Sequence, residues 1–176
     1  MTAVKVKYPR LHWIWLASLV GLAALAVSSM LFANRQIVIN TSPSVQPGLY
    51  LRSSSELAVG QIVDFRIPSA ARNYIESRTG QNGEDWFILK PIVAGPGDRV
   101  DTTGEWLLIN GRQIASMPPT NDTGGLPLPV WRQSRVLGAD EFFVFSDRIP
   151  NSFDSRCYGP IRRQHIETVR RALITW

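Results

Sequence analysis

Hydrophobic residues are concentrated in one long segment near the start of the chain, residues 11–33, with the sequence LHWIWLASLVGLAALAVSSMLFA. It contains no Asp, Glu, Lys or Arg, and as a helix it would extend about 34 Å, against a bilayer hydrocarbon core of roughly 30 Å. Trp13 and Trp15 lie at one end, where the membrane interface favours aromatic side chains. The pattern predicts a transmembrane helix over residues 11–33.

After this segment the apolar residues occur in short runs that predict β-strands. GQIVDFRI (60–67) alternates apolar and polar positions with a period of two, as a half-buried strand does. WFILKPIVAG (86–95) is continuously apolar around Lys90 and predicts a buried strand, and Asn110-Gly111 between two apolar runs predicts a hairpin. Further strands are predicted at residues 36–39, 49–52, 141–146 and 169–176, with a loop over 116–131.

One short helix is predicted between two of these strands, with the sequence AARNYIESR (70–78). We expect Ser69 to cap its start and Gly80 to end it. Residues 34–176 are therefore expected to form one mainly β domain with one short helix, preceded by an N-terminal transmembrane helix.

The residues before the apolar segment predict its orientation. Residues 1–10 contain basic side chains and no acidic one, so the positive-inside rule places them in the cytoplasm and residues 34–176 on the outer side. A cleaved secretory signal is the alternative, but its apolar stretch would be shorter, and Leu31 disfavours a cut after Ala33. An uncleaved anchor is the favoured interpretation.

The net charge of +5 is explained largely by that tail. The chain holds 19 Lys and Arg against 14 Asp and Glu, and Lys5, Lys7 and Arg10 all precede the apolar segment. A basic tail beside a membrane favours contact with anionic lipid. Membrane lipid is therefore an expected partner, and nucleic acid is not.

Few side chains of this sequence could form a hydrolytic active site. His12 lies in the apolar segment, and His165 lies in the basic stretch RRQHIETVRR, where we expect a surface position. Cys157 is the single cysteine, so no disulfide can form within the chain. These residues cannot supply the usual zinc ligands, and neither a metal nor a cofactor is expected. A serine with a lysine as its base remains as a known variant of the catalytic triad.

Lys90 is the single lysine beyond the apolar segment. A strand would place Ile88, Lys90 and Ile92 on one face, and burial among such side chains lowers a lysine pKa toward neutrality. The alternative is a lysine whose stem packs on the sheet while its ammonium reaches water. Pro91 removes a ladder donor beside it, which suits a sheet edge or the rim of a site.

A candidate nucleophile lies in the segment INTSPSVQPGLY. Pro43 and Pro47 restrict the backbone on either side of Ser44, and Gly48 permits a turn. Ser44 would then lie on a stiff, exposed bend. An ordinary Ser/Pro/Gly loop is the alternative interpretation.

Three segments together resemble the motifs of the type I signal peptidases, most closely the TraF-like branch of conjugative transfer. TSPSVQPGLY resembles the nucleophile box, KPIVAGPGDRV the lysine box and SFDSRCYGPI the box SxDSRxxGP. The resemblance implies Ser44 as nucleophile and Lys90 as base. It also implies that Ser152 hydrogen-bonds the lysine amine, and that the Ser42 hydroxyl joins the Ser44 N–H in an oxyanion hole.

The resemblance further implies a structural ion pair between Asp154 and Arg156. This sequence departs from the family pattern at two supporting positions. Pro91 replaces the usual arginine after the lysine, and Ser146-Asp147-Arg148 replaces the GDN before the third box.

The function implied is that of a bacterial inner-membrane serine endopeptidase with a periplasmic catalytic domain and no metal or cofactor. Its implied partner is a signal-bearing precursor, such as a pilin, cut after small residues; some relatives also close the pilin into a ring. The chain between Ala33 and Ser44 can reach at most roughly 36 Å, which keeps the site near the membrane. A cytoplasmic autoprotease, which the anchor disfavours, and a non-enzymatic, membrane-tethered assembly factor of a secretion or conjugation apparatus are the alternatives.

Overall fold

The computed structural model describes residues 11–82 and 86–176, so the predicted cytoplasmic tail, residues 1–10, lies outside the described residues. The chain divides into two units, one ending at Val38 and one beginning at Ile39. The first contains helix α1 (Leu11–Ala33). Its part from Trp13 to Ala33 has a mean hydropathy of 2.1, and is long and apolar enough to cross a membrane. The predicted N-terminal apolar helix is confirmed.

The β-structure of the chain, most of which belongs to the second unit, forms two sheets. The larger has seven strands in the order β1-β2-β11-β3-β4-β9-β10, and the smaller has four in the order β7-β6-β5-β8. The strands of the larger sheet are β1 (Ile37–Asn40), β2 (Gly48–Ser53), β3 (Ile62–Arg66), β4 (Phe87–Ala94), β9 (Glu141–Val144), β10 (Ile161–Arg162) and β11 (Ile166–Thr175). Those of the smaller are β5 (Arg99–Asp101), β6 (Trp106–Ile109), β7 (Arg112–Ser116) and β8 (Ser134–Val136). The mainly β fold class is confirmed.

Each sheet contributes to its own hydrophobic core. Val63, Phe65, Ile92 and Val144 are buried with residues of the short helices in one cluster. Val100, Leu107, Phe143 and others form a second cluster with the smaller sheet. Strand β9 contributes to both clusters, because successive side chains of a strand point to opposite faces.

The helix predicted between β3 and β4 is α2 (Ser69–Thr79), and it ends as expected at Gly80, which adopts the left-handed conformation. The expected cap was wrong: Pro68 occupies the N-cap position, and Ser69 is the first helical residue. The fixed φ of proline suits a helix start. A second helix of a single turn, α3 (Ser155–Tyr158), and a 3-10 turn (Arg163–His165) were not predicted.

Two expectations about single residues need correction. Pro91 does not lie in an edge strand, because β4 pairs with both β3 and β9. Its missing N–H is tolerated because the β9 ladder ends at Val144, the partner of Ile92.

Gly48 is the first residue of strand β2 and does not form the expected turn. A Cβ there would lie 2.3 Å from the carbonyl oxygen of Ile174, so glycine is needed for close approach to β11.

Candidate active site

Residues 42–47, within the connection between β1 and β2, include the candidate nucleophile and are called the serine loop below. Ser44 is buried, with 5% of its surface exposed, instead of lying on an exposed bend. Its Oγ lies 3.0 Å from Ser42 Oγ. Within the described residues, the Ser44 N–H has no hydrogen-bond acceptor. Ser42 and Ser44 therefore present a hydroxyl pair and a free amide side by side.

Neighbouring residues hold the serine loop through its carbonyl oxygens. Asn40 Nδ2 donates to the carbonyl oxygens of Ser42 at 3.0 Å, Val45 at 2.9 Å and Gln46 at 3.2 Å. The Tyr50 hydroxyl also donates to the Gln46 oxygen, at 2.6 Å. Buried side-chain donors of this kind fix a loop that has no ladder of its own.

Three residues that follow β9 in the sequence donate to the remaining carbonyl oxygens of the serine loop. The Trp176 N–H donates to the Pro47 oxygen at 3.1 Å. Arg148 Nε donates to the Pro43 oxygen at 3.1 Å, and the Ser146 hydroxyl donates to the oxygen of Ser44. Every carbonyl of the loop thus accepts a hydrogen bond, while the Ser44 N–H is left for another group.

Lys90 lies in β4 opposite Val63 and is buried, with 2% of its surface exposed. Ile88 and Ile92, two positions away on either side, belong to the same apolar cluster as Val63. Burial lowers the pKa of Lys90 to about 8, although the nearby Asp154 carboxylate acts in the opposite direction. The expected burial of Lys90 is confirmed, and the water-exposed alternative was wrong.

The Lys90 ammonium donates to Ser152 Oγ at 2.9 Å, so the structure brings these two predicted residues together. Ser152 is buried, and its oxygen is an acceptor for one of the three ammonium protons. The hydrogen bond fixes the position of the amine nitrogen in an apolar environment.

Asp154 and Arg156 form a buried ion pair, as expected. The guanidinium contacts the carboxylate at 2.9 Å through Nε and at 2.8 Å through Nη2. Arg156 also donates to the carbonyl oxygen of Ser116, at 2.7 Å, and to that of Ser152, at 3.4 Å. The pair therefore connects the segment of Ser152 to strand β7 of the smaller sheet.

Residues that follow β9 connect the strand of Lys90 to the serine loop. The N–H of Phe145 donates to the oxygen of Pro91 at 3.1 Å, and the next residue, Ser146, donates to the oxygen of Ser44. Among the described residues, Ser44 Oγ is hydrogen-bonded to Ser42, and Lys90 Nζ is hydrogen-bonded to Ser152. No hydrogen bond joins Ser44 to Lys90 in this part of the chain. Catalytic hydrogen bonds are often long without substrate and shorten in the substrate complex.

The competing side chains do not form a comparable site. His165 is half-buried in the 3-10 turn, and its ring Nε2 lies 3.5 Å from Gln164 Nε2. Burial raises the pKa of the Cys157 thiol to about 12, which keeps it protonated and a poor nucleophile. Within residues 11–82 and 86–176, no cluster of His, Cys, Asp or Glu could hold a metal ion.

Sequence reasoning did not assign the contacts of Asn40, Ser146 and Arg148. Ser146 and Arg148 lie in the segment where the sequence departs from the family motif, and that departure was the one signal pointing to them. Nothing in the sequence indicated the role of Asn40, because that role depends on three carbonyl groups that the folded serine loop brings together.

Comparison with known proteins gives a consistent family. The family model described as "Signal peptidase, peptidase S26" matches residues 10–176. A plasmid transfer protein TraF of Escherichia coli is 34% identical over 165 residues, covering 89% of this chain and 92% of that protein. Signal peptidase I of Leptolyngbya laminosa is 33% identical over 87 residues, covering 49% of this chain and 39% of that protein.

A solved structure shows a partial likeness. The signal peptidase I of Enterococcus faecalis V583 aligns at 20% identity with a TM-score of 0.40, covering 66% of this chain and 98% of that one. The family model and the TraF relative together cover nearly the whole sequence. The chain belongs to the type I signal peptidase family, in its TraF-like branch.

Proposed function

We propose that this protein is a membrane-anchored serine endopeptidase that processes a secreted precursor with Ser44 as nucleophile and Lys90 as general base. The observation that carries the proposal is the environment of Lys90. It is buried, donates to Ser152 at 2.9 Å, and has a pKa of about 8. A lysine in this state can hold a neutral amine near physiological pH, as a general base must.

The reaction follows from these groups. Neutral Lys90 accepts the proton of Ser44 Oγ while that oxygen attacks the carbonyl carbon of the scissile bond. When the C–N bond breaks, the Lys90 ammonium returns a proton to the leaving amine, and Ser44 is left as an acyl ester. A water molecule then attacks this ester while Lys90 takes its proton, and the Lys90 ammonium returns that proton to Ser44 Oγ as the carboxylic acid product leaves. Ser152 keeps the amine oriented through both steps.

The charge that develops on the substrate carbonyl is stabilised by groups of the serine loop. The Ser44 N–H has no other acceptor in the described part of the chain, and the Ser42 hydroxyl lies 3.0 Å from Ser44 Oγ. Two donors fixed in advance stabilise an oxyanion at little reorganisation cost. We therefore assign the oxyanion hole to the Ser42 hydroxyl and the Ser44 N–H.

The substrate follows from the anchor and from the relatives. Residues 34–44 can extend at most roughly 36 Å, which suits a cut just outside the membrane on the periplasmic side of a bacterial inner membrane. Relatives named plasmid transfer protein TraF point to a precursor of a transfer apparatus, such as a pilin. Small residues at the first and third positions before the cut are the expected recognition elements.

Co-expression with a candidate pilin precursor tests this function. We expect a shortened product. Mass spectrometry should show that its first residue is the one that follows a small residue in the precursor sequence. A precursor with tryptophan in place of that small residue serves as the substrate control and should remain uncut. A mass one water lower than that of the linear product would show ring closure. Absence of cleavage would favour an assembly factor without peptidase activity.

The pH dependence of cleavage should follow Lys90. Because only the neutral amine is a base, kcat/KM should rise with pH and level off above about 8, the lowered Lys90 pKa. At pH 7, Lys90 would be neutral, and the enzyme active, in about a tenth of the molecules. With an ordinary lysine pKa the neutral fraction would be about three in ten thousand. Initial rates on a fluorogenic peptide measure the profile. A rise that continues past about pH 10 would contradict it.

Replacing Ser42 by alanine should slow cleavage without abolishing it. The change removes one oxyanion donor and leaves the Ser44 N–H, so we expect kcat to fall about 10²- to 10³-fold. Ser42→Thr retains the hydroxyl and is the matched control. Single-turnover rates on the same peptide give the comparison, and a full wild-type rate in Ser42→Ala would remove Ser42 from the oxyanion hole.

A further inference from the structure

Two residues beyond strand β9 contact the two peptide groups on either side of the Ser44 Cα. Arg148 Nε donates to the Pro43 oxygen at 3.1 Å, and the Ser146 hydroxyl donates to the Ser44 oxygen. Ser146 is buried, and its Oγ also accepts from the Arg148 N–H at 3.3 Å. The two donors are therefore connected to each other as well as to the loop.

These contacts control the two groups of Ser44 that the reaction needs. A peptide group is planar, so the Pro43 oxygen and the Ser44 N–H belong to one rigid plane and point in opposite directions. Fixing that oxygen fixes the direction of the N–H. The Ser44 oxygen belongs to the next plane. With both planes fixed, the Cα–Cβ bond of Ser44 has a defined direction, and the hydrogen bond with Ser42 Oγ at 3.0 Å restrains the Oγ about that bond.

The same segment also contacts the strand of the base. Phe145 N–H donates to the Pro91 oxygen at 3.1 Å, so residues 145–148 connect the neighbour of Lys90 to the peptide planes of Ser44. Local donors such as Asn40 hold the rest of the loop but do not reach these two planes. Misplacement of a reacting group by about 1 Å can cost 10²-fold in rate.

We propose that Ser146 and Arg148 are positioning residues that fix the direction of the Ser44 N–H and Oγ relative to Lys90. The proposal rests on the proposed function, because it assigns Ser44 as nucleophile. Neither residue transfers a proton or bonds to substrate in this role.

Kinetics of four variants of the full-length protein test the proposal. Ser146→Ala and Arg148→Met each remove one donor, and we expect kcat to fall about 10- to 100-fold with KM little changed. Ser146→Thr keeps the hydroxyl and should recover most of kcat. Asp147→Asn is the matched control, because Asp147 is exposed and lies between the two residues; its kcat should equal that of the wild type. The pH midpoint should stay near 8 in all four.

A measurement that needs no substrate separates this proposal from the proposed function. In detergent micelles, the ¹⁵N order parameter of the Ser44 amide should fall from about 0.85 toward about 0.6 in Ser146→Ala, and remain high in Asp147→Asn. Unchanged order and unchanged kcat in Ser146→Ala would overturn the positioning role. If the wild type cleaves no precursor, the proposed function fails, and the order parameters alone decide whether Ser146 fixes the loop.

Discussion

Replacing Lys90 by arginine is expected to lower kcat/KM at least about 10³-fold, although the positive charge is kept. A guanidinium does not lose its proton at accessible pH, so the proposed general base would be absent. General-base catalysis contributes about 10²- to 10⁴-fold. Cleavage of the fluorogenic peptide near pH 8 measures the loss. The loss should persist as the pH rises, since arginine has no neutral form to populate.

A buried arginine is also larger than lysine, so folding must be checked separately. Lys90→Met keeps an unbranched apolar side chain in the same cavity and should fold while remaining inactive. Arg112→Lys exchanges the same two residue types at an exposed position of β7 and is the matched control. Activity above about a tenth of the wild-type level in a folded Lys90→Met protein would exclude Lys90 as the base.

Replacing Ser44 by alanine is expected to have the largest effect, a fall in kcat of about 10⁴-fold or more. The change removes the attacking oxygen and leaves every carbonyl contact of the serine loop in place, including that of Ser146 with the Ser44 oxygen. KM for the peptide should therefore change little. Active-site labelling by a serine-directed probe should be lost together with cleavage.

The matched control for this variant lies in the same protein. Ser53 and Ser55 form a hydroxyl pair two residues apart, with their Oγ atoms at 2.8 Å, and this pair is exposed. Ser55→Ala removes one hydroxyl from that pair and should leave the rate unchanged. Precursor processing by Ser44→Ala at the wild-type rate would refute the proposed nucleophile.

Local signals in the sequence predicted much of this fold. The Asn110-Gly111 hairpin between β6 and β7 is present, and both residues adopt positive φ angles. The long apolar helix and the burial of Lys90 followed from composition and alternation alone. These features depend on residues close together in the chain, which is why a single sequence sufficed to predict them.

Features that depend on distant residues were missed. Strands β5, β8 and β10 contain two or three residues each, too few for a periodic pattern. The contact of Ser146 with Ser44 joins residues 102 positions apart, and nothing local distinguishes that serine from others. Pro91 was predicted to lie at a sheet edge; the sequence of its own strand does not show where the neighbouring ladder of β9 ends.

Strand β11 lies between β2, which follows the serine loop, and β3, which pairs with the strand of Lys90. It is the last strand along the chain, and Gln46 of the serine loop contacts a residue 130 positions away just after it. Contacts of such long range slow folding, because loop-closure entropy opposes them. During synthesis, a nascent chain therefore contains both Ser44 and Lys90 well before the sheet that unites them can form. Under the proposed function, a chain synthesised only as far as Lys90 would contain both proposed catalytic residues without the strand that connects them, and we expect it to be inactive.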